Sequence, residues 1–103
     1  GIDITADDGE KVRAYSGGIV KKVYNDDLLG YSIEIEHNNG ITMIYSGLSP
    51  TILVKEGESV SCGDYIGAVF TIPSEIMDEV HLHLTAKKDG KLIDAQAVLE
   101  KNA

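Results

Sequence analysis

Glycines cut this chain into short pieces. Gly17-Gly18, Gly30, Asn39-Gly40, Gly57, Gly63, Gly67 and Asp89-Gly90 recur at intervals of about ten residues, which suits short strands joined by tight turns. Period-two alternation fills the space between them. In Tyr31-Ser32-Ile33-Glu34-Ile35-Glu36-His37 the odd positions are expected to face a core, and Ser32, Glu34 and Glu36 to face water. Asn38-Asn39-Gly40 then leads into the β-rich run Ile41 to Tyr45, and Asn-Gly between two such runs is a strong hairpin signal. Gly18 to Tyr24 and Val80 to Lys87 read as further strands, with Val12 to Tyr15 as another candidate. Asp89-Gly90 turns the late strand into a short Lys91-Leu92 partner.

A second rhythm lies between Val54 and Gly67. Val54, Val60 and Ile66 recur every six residues, with Gly57 and Gly63 three residues after the first two. Turn, short strand, turn, strand is the pattern of a small barrel or sandwich whose corners need glycine at positive φ. Helix is scarce. Asp94 can cap a short C-terminal helix to Lys101, and Pro73 to Glu79 reads equally as one helical turn or a loop. Asp7-Asp8 and Asp26-Asp27 are expected in solvated turns. The expected fold is mostly β, a small antiparallel sheet or barrel-sandwich resembling a duplicated hybrid motif. It spans residues 1–103 as one domain and ends in a short helix. Its expected core holds Ile33, Ile35, Ile44, Val54, Val60 and Ile66.

Charge narrows the partners. Nine Lys+Arg against 17 Asp+Glu give a net charge of −8. Nucleic acid and anionic membrane surfaces need a basic patch, so neither is expected as a main partner. Cys62 is the single cysteine, so neither an internal disulfide nor a multi-cysteine metal site can form. No apolar run approaches the roughly 18 residues of a membrane span. Gly1 opens directly in a patterned segment, which reads as a fragment truncated at its N-terminus, with its targeting information elsewhere.

Few residues could carry chemistry. His81 and His83, two apart on an expected strand, share one face, their Cα atoms roughly 6.5–7 Å apart. Such a pair can serve a divalent metal, one ring as ligand and the other beside a metal-bound water. It also occurs by chance on a strand face. Asp3 lies on the opposite strand face from its neighbours Ile2 and Ile4. It reads either as a solvent-facing residue or as a carboxylate ligand. His37, in phase with Ile33 and Ile35, reads as a partly buried histidine held by a backbone partner. Cys62 has no neighbouring base or cation to activate it. Ser46 and Ser49 have no local base.

Taken in order, Gly1-Ile2-Asp3-Ile4, Gly30-Tyr31, Ile35-Glu36-His37-Asn38-Asn39-Gly40, Ile44-Tyr45-Ser46-Gly47-Leu48, the Val54-to-Gly67 glycine pattern and His81-Leu82-His83 resemble the LytM/lysostaphin-type zinc metallopeptidase domain. That family cuts peptidoglycan, and the resemblance covers nearly the whole chain. It implies that Asp3 and His83 are metal ligands and that His81 is the catalytic base. A further ligand, the histidine of the family's His-x-Gly-x-Asp motif, would fall two residues before Gly1. The family's Leu-Tyr-x-His-Leu segment has Gly47 where its assisting histidine stands. Glycine offers no side chain for proton transfer, and losing such a group costs about 10²–10³-fold in rate.

Asp27-Leu28-Leu29-Gly30-Tyr31, Gly47 and the Lys88-Asp89-Gly90 hairpin are in addition similar to the stage II sporulation protein Q group, which resembles the peptidases and works as a scaffold. The resemblance thus implies a degenerate domain that binds a protein partner at the cell envelope, or peptidoglycan. Its zinc would be weak or absent in this fragment. It would lie outside the cytoplasm, tethered by a segment beyond this chain and not inserting directly into the membrane. The alternative is a working zinc endopeptidase. A biotinyl carrier would need a lysine exposed at a hairpin tip beside Met, and a sugar phosphotransferase module would need two histidines facing each other from separate strands, whereas His81 and His83 share one. Neither pattern is present.

Overall fold

The computed structural model describes residues 2–5, 9–70 and 81–101, with 2–5, 81 and 99–101 as backbone alone. Among these residues nine strands and one helix follow in order: β1 (Ile2–Thr5), β2 (Lys11–Arg13), β3 (Gly18–Asp26), β4 (Gly30–His37), β5 (Ile41–Leu48), β6 (Ser59–Val60), β7 (Tyr65–Ala68), β8 (His81–Lys88), β9 (Lys91–Ile93) and α1 (Ala95–Lys101). The fold is therefore mostly β. A seven-stranded sheet runs β1-β8-β5-β4-β3-β6, with β9 also paired to β8, and β2 and β7 form a second sheet. Every pairing is antiparallel, and neither sheet closes into a barrel.

The expected hairpins form for the expected reason. Gly40 takes φ +83° between β4 and β5, and Asn39 accepts the Ile41 N–H through its side-chain oxygen at 3.1 Å. Between β8 and β9, Asp89 and Gly90 both have positive φ, the geometry that two-residue hairpins require. Asp26 sits in the β3–β4 turn, its Oδ1 accepting the N–H groups of Leu28 and Leu29. At the C-terminus, Asp94 caps α1 by accepting the Gln96 N–H at 3.0 Å.

One face of the large sheet makes the core. Register sets Ile33 opposite Tyr45 and Ile35 opposite Met43, and β8 continues the layer with Leu84 opposite Tyr45 and Ala86 opposite Met43. All six are buried. Val12, Val54, Val60 and Ile66 join them, and α1 adds Ala95 and Val98. Two expectations are corrected. Ile44 is only half buried and lies on the other face, because Met43 and Tyr45 set the inward phase of β5. Ser32, expected in water, is fully buried and shares a hydrogen bond with Ser46. The readings of Asp7-Asp8 and of Pro73 to Glu79 lie outside the described residues.

His37 is a structural histidine. It is 2% exposed. Its Nδ1 lies 2.9 Å from the Ser16 carbonyl, which can only accept, so Nδ1 carries the proton. Nε2 then accepts from the Tyr45 hydroxyl at 3.0 Å, and that hydroxyl accepts the Tyr15 N–H at 3.1 Å. The Tyr15 ring stands edge-on at 4.3 Å. Burial holds the imidazole below its ordinary 6.5, against a smaller pull upward from the Gly17 and Ser16 carbonyls. Burial likewise pushes the Tyr45 hydroxyl up, which keeps its proton available to Nε2.

Two outcomes follow. Ile33→Ala or Ile35→Ala is expected to cost about 2–5 kcal/mol in urea unfolding, and Ile44→Ala distinctly less. The neutral His37 makes stability depend on pH with a definite sign. The unfolded chain takes up a proton near pH 6.5 that the folded chain resists. Stability is complete above that pH and falls as pH drops through it. Unfolding midpoints between pH 8 and pH 5 check this, and His37→Gln is expected to flatten the profile.

Candidate metal centre

The other face of the large sheet carries a row of polar positions. Residues paired directly across antiparallel strands share a face. β1 pairs with β8 so that Asp3 stands opposite His83 and Thr5 opposite His81. Directly paired Cα atoms lie about 4.5–5.5 Å apart. Positions some eighty residues apart in sequence thus become neighbours through one strand pairing. On the other side of β8, Ser46 stands opposite His83. Ser46 Oγ lies 2.9 Å from Ser32 Oγ on β4, and Ser32 in turn stands opposite Tyr24 on β3. The row therefore runs Asp3, His83, Ser46, Ser32, Tyr24 across five strands. His81 occupies the next position of the same β8 face.

The row grows more buried toward its centre. His83 is half buried, and Ser46 and Ser32 are buried. Burial, then the charges of Glu34 and Asp26, raise the Tyr24 hydroxyl above its ordinary 10, with a hydrogen-bonding contribution from Ser32 opposing. Carboxylate and imidazole are both zinc donors, so the residue types at Asp3 and His83 suit that ion. Among the described residues no cluster of three or more His, Cys, Asp or Glu could hold a metal.

Gly47 breaks the ladder beside this row. Pairing passes from Ile33↔Tyr45 to Tyr31↔Leu48, so Ser32 alone faces two residues of β5, Ser46 and Gly47. This is a β-bulge, and its glycine takes φ +85°. The glycine peptide is held on both sides. Its N–H donates to the Leu29 carbonyl and its carbonyl accepts the Phe70 N–H, each at 2.8 Å. The bulge shifts the phase of β5, so Tyr45 and Leu48 both reach the core while Ser46 stays on the polar face. The sequence reading missed the Ser32–Ser46 pair. A glycine inside a strand pattern, the usual mark of a bulge, was the signal that could have found it.

The model of Peptidase family M23 matches residues 1–95. The chain belongs to peptidase family M23. Stage II sporulation protein Q of Bacillus subtilis (strain 168) is 33% identical over 104 residues, covering 98% of this chain and 36% of that protein. The lipoprotein NlpD/LppB homolog of Pseudomonas aeruginosa is 36% identical over 97 residues, covering 91% of this chain and 31% of that protein. The chain thus spans about a third of these relatives. Among solved structures, the SpoIIIAH and SpoIIQ complex matches with TM-score 0.77 and 29% identity, over 95% of this chain and 69% of that one. That M23 relative is therefore seen joined to a second protein.

The bulge has a measurable consequence. Gly47→Ala places a Cβ on a left-handed residue and is expected to cost roughly 1–2 kcal/mol. Ser32→Ala leaves Ser46 short of a buried partner and is expected to cost about 1–3 kcal/mol. In a double-mutant cycle with Ser46→Ala, the two serine changes are expected to be non-additive.

Proposed function

We propose that this M23 domain works by holding a protein partner at the bacterial cell envelope, without peptidoglycan hydrolysis. The observation that carries this is Gly47. It stands where the family motif has its assisting histidine, and its left-handed backbone is anchored by hydrogen bonds on both sides. The site thus lacks a side chain at that position in a conformation that resists most replacements. The similarity to stage II sporulation protein Q, and to its complex with SpoIIIAH, supports a partner-holding role. A net charge of −8 suits a partner with basic patches better than an anionic wall polymer.

On this reading Asp3 and His83 would hold zinc, and His81 would exchange a proton beside it. Bound zinc would supply an activated water and polarise a carbonyl. A catalytic zinc site usually has three protein ligands, and the family motif's further histidine would fall before Gly1. An extracytoplasmic place, with a membrane tether outside this chain, belongs to the same proposal. One relative is named a lipoprotein, and among the described residues no helix is long and apolar enough to cross a membrane.

A working zinc endopeptidase is the second reading. It is favoured by the register that sets Asp3 opposite His83. The two readings separate in cells. In the full-length protein, Asp3→Ala combined with His83→Gln is expected to restore function to a deletion strain as well as the unchanged gene does. Failure to restore it, with protein level and melting temperature preserved, would favour the endopeptidase.

A further inference from the structure

The smaller sheet carries a cluster that the M23 site does not use. β2 alternates exposed, buried, exposed, so Lys11 and Arg13 lie on the outer face and Val12 in the core. Pairing with β7 passes from Val12↔Gly67 to Arg13↔Tyr65, which leaves Ile66 as an extra residue. This bulge sends Ile66 fully into the core and turns Tyr65 outward, 43% exposed, onto the face of the two cations. Arg13 donates to the Tyr65 hydroxyl at 2.6 Å, and its guanidinium carbon lies 4.7 Å from the ring centroid. Lys11 Nζ lies 4.9 Å from the same centroid. Among the described residues, both cations direct their contacts to this one ring. The nearby Asp64 carboxylate is engaged by the Ser61 N–H at 2.8 Å.

We propose that Lys11, Arg13 and Tyr65 form a docking point for a short acidic segment of a protein partner. Two like charges gathered on one ring repel each other, and a carboxylate set between them removes that cost. The donors are available, because Arg13 commits one N–H of five to Tyr65 and the ammonium of Lys11 offers three. Charge complementarity also selects a short segment. A phosphate polymer or an anionic bilayer extends well beyond the roughly 8 Å over which charges act at physiological salt, and would meet the rest of a chain of net charge −8. A peptide with two adjacent carboxylates touches only the patch. On a partner that is otherwise basic, such a contact fixes orientation. The class of partner rests on the partner-holding role proposed above, whereas the docking point rests on the cluster itself.

The test is a titration of the ¹⁵N-labelled protein at physiological salt with the peptide acetyl-Gly-Glu-Glu-Gly-amide, followed by NMR. Inorganic phosphate and vesicles containing phosphatidylglycerol form separate arms. Saturable shifts confined to residues 11–13 and 64–67 are expected, weakened about fivefold by Arg13→Gln or by Lys11→Gln. Shifts scattered over other strands, or unchanged in the Lys11→Gln, Arg13→Gln double variant, would overturn the proposal. So would phosphate or vesicles saturating the patch at lower concentration than the peptide. Peptide binding at the patch beside a failed cell test would remove the partner-holding role and leave the docking point standing.

Discussion

The extra residue in β5 is the constraint on which the large sheet depends. A strand alternates its side chains strictly, so a run that buries Tyr45 would ordinarily turn Leu48 outward. The bulge at Gly47 resets the phase. Tyr45 and Leu48 both fill the core, and Ser46 between them remains on the polar face beneath the row that ends at His83 and Asp3. The reset requires φ +85° at one residue, and glycine adopts that without steric cost. On the proposed reading, the residue that lets the strand serve both faces is also the one that leaves the assisting position without a side chain.

The second dependence is the pairing of β1 with β8. Four residues at the start of the chain form the edge of the large sheet and bring Asp3 opposite His83. On the other side of β8, the buried Ser46–Ser32 pair continues the row inward. On the proposed reading, that frame is kept for its shape, to hold a partner. The contrast between an acidic chain and the cation–tyrosine cluster on the smaller sheet adds orientation to that picture, because a local reversal of charge distinguishes one docking pose from another.

Much of this fold was legible in the residues. Asp89-Gly90 announced its hairpin because a two-residue turn demands positive φ at both positions, Asn39-Gly40 because Gly40 closes a three-residue loop at positive φ, and Ile33 and Ile35 announced the core through strict alternation. Asp94 announced the helix cap, and His37 its backbone partner. Ile44 misled because Met43-Ile44-Tyr45 is a continuous apolar run with no alternation, so its phase is fixed only by the strands beside it. Ser32 and Tyr65 were illegible for a related reason. Each owes its place to a bulge, and a bulge is a property of two strands. The neighbourhood of Asp3 and His83 came from resemblance to a family, since nothing local to either residue encodes a pairing across some eighty positions.

On the proposed reading, this domain keeps the M23 frame without the hydrolase. The most direct measurement is turnover of purified peptidoglycan by the full-length protein loaded with zinc, read as released muropeptides. No cleavage above a metal-free control is predicted. Zinc-dependent cleavage by the unmodified protein, abolished by His83→Ala, would contradict the account.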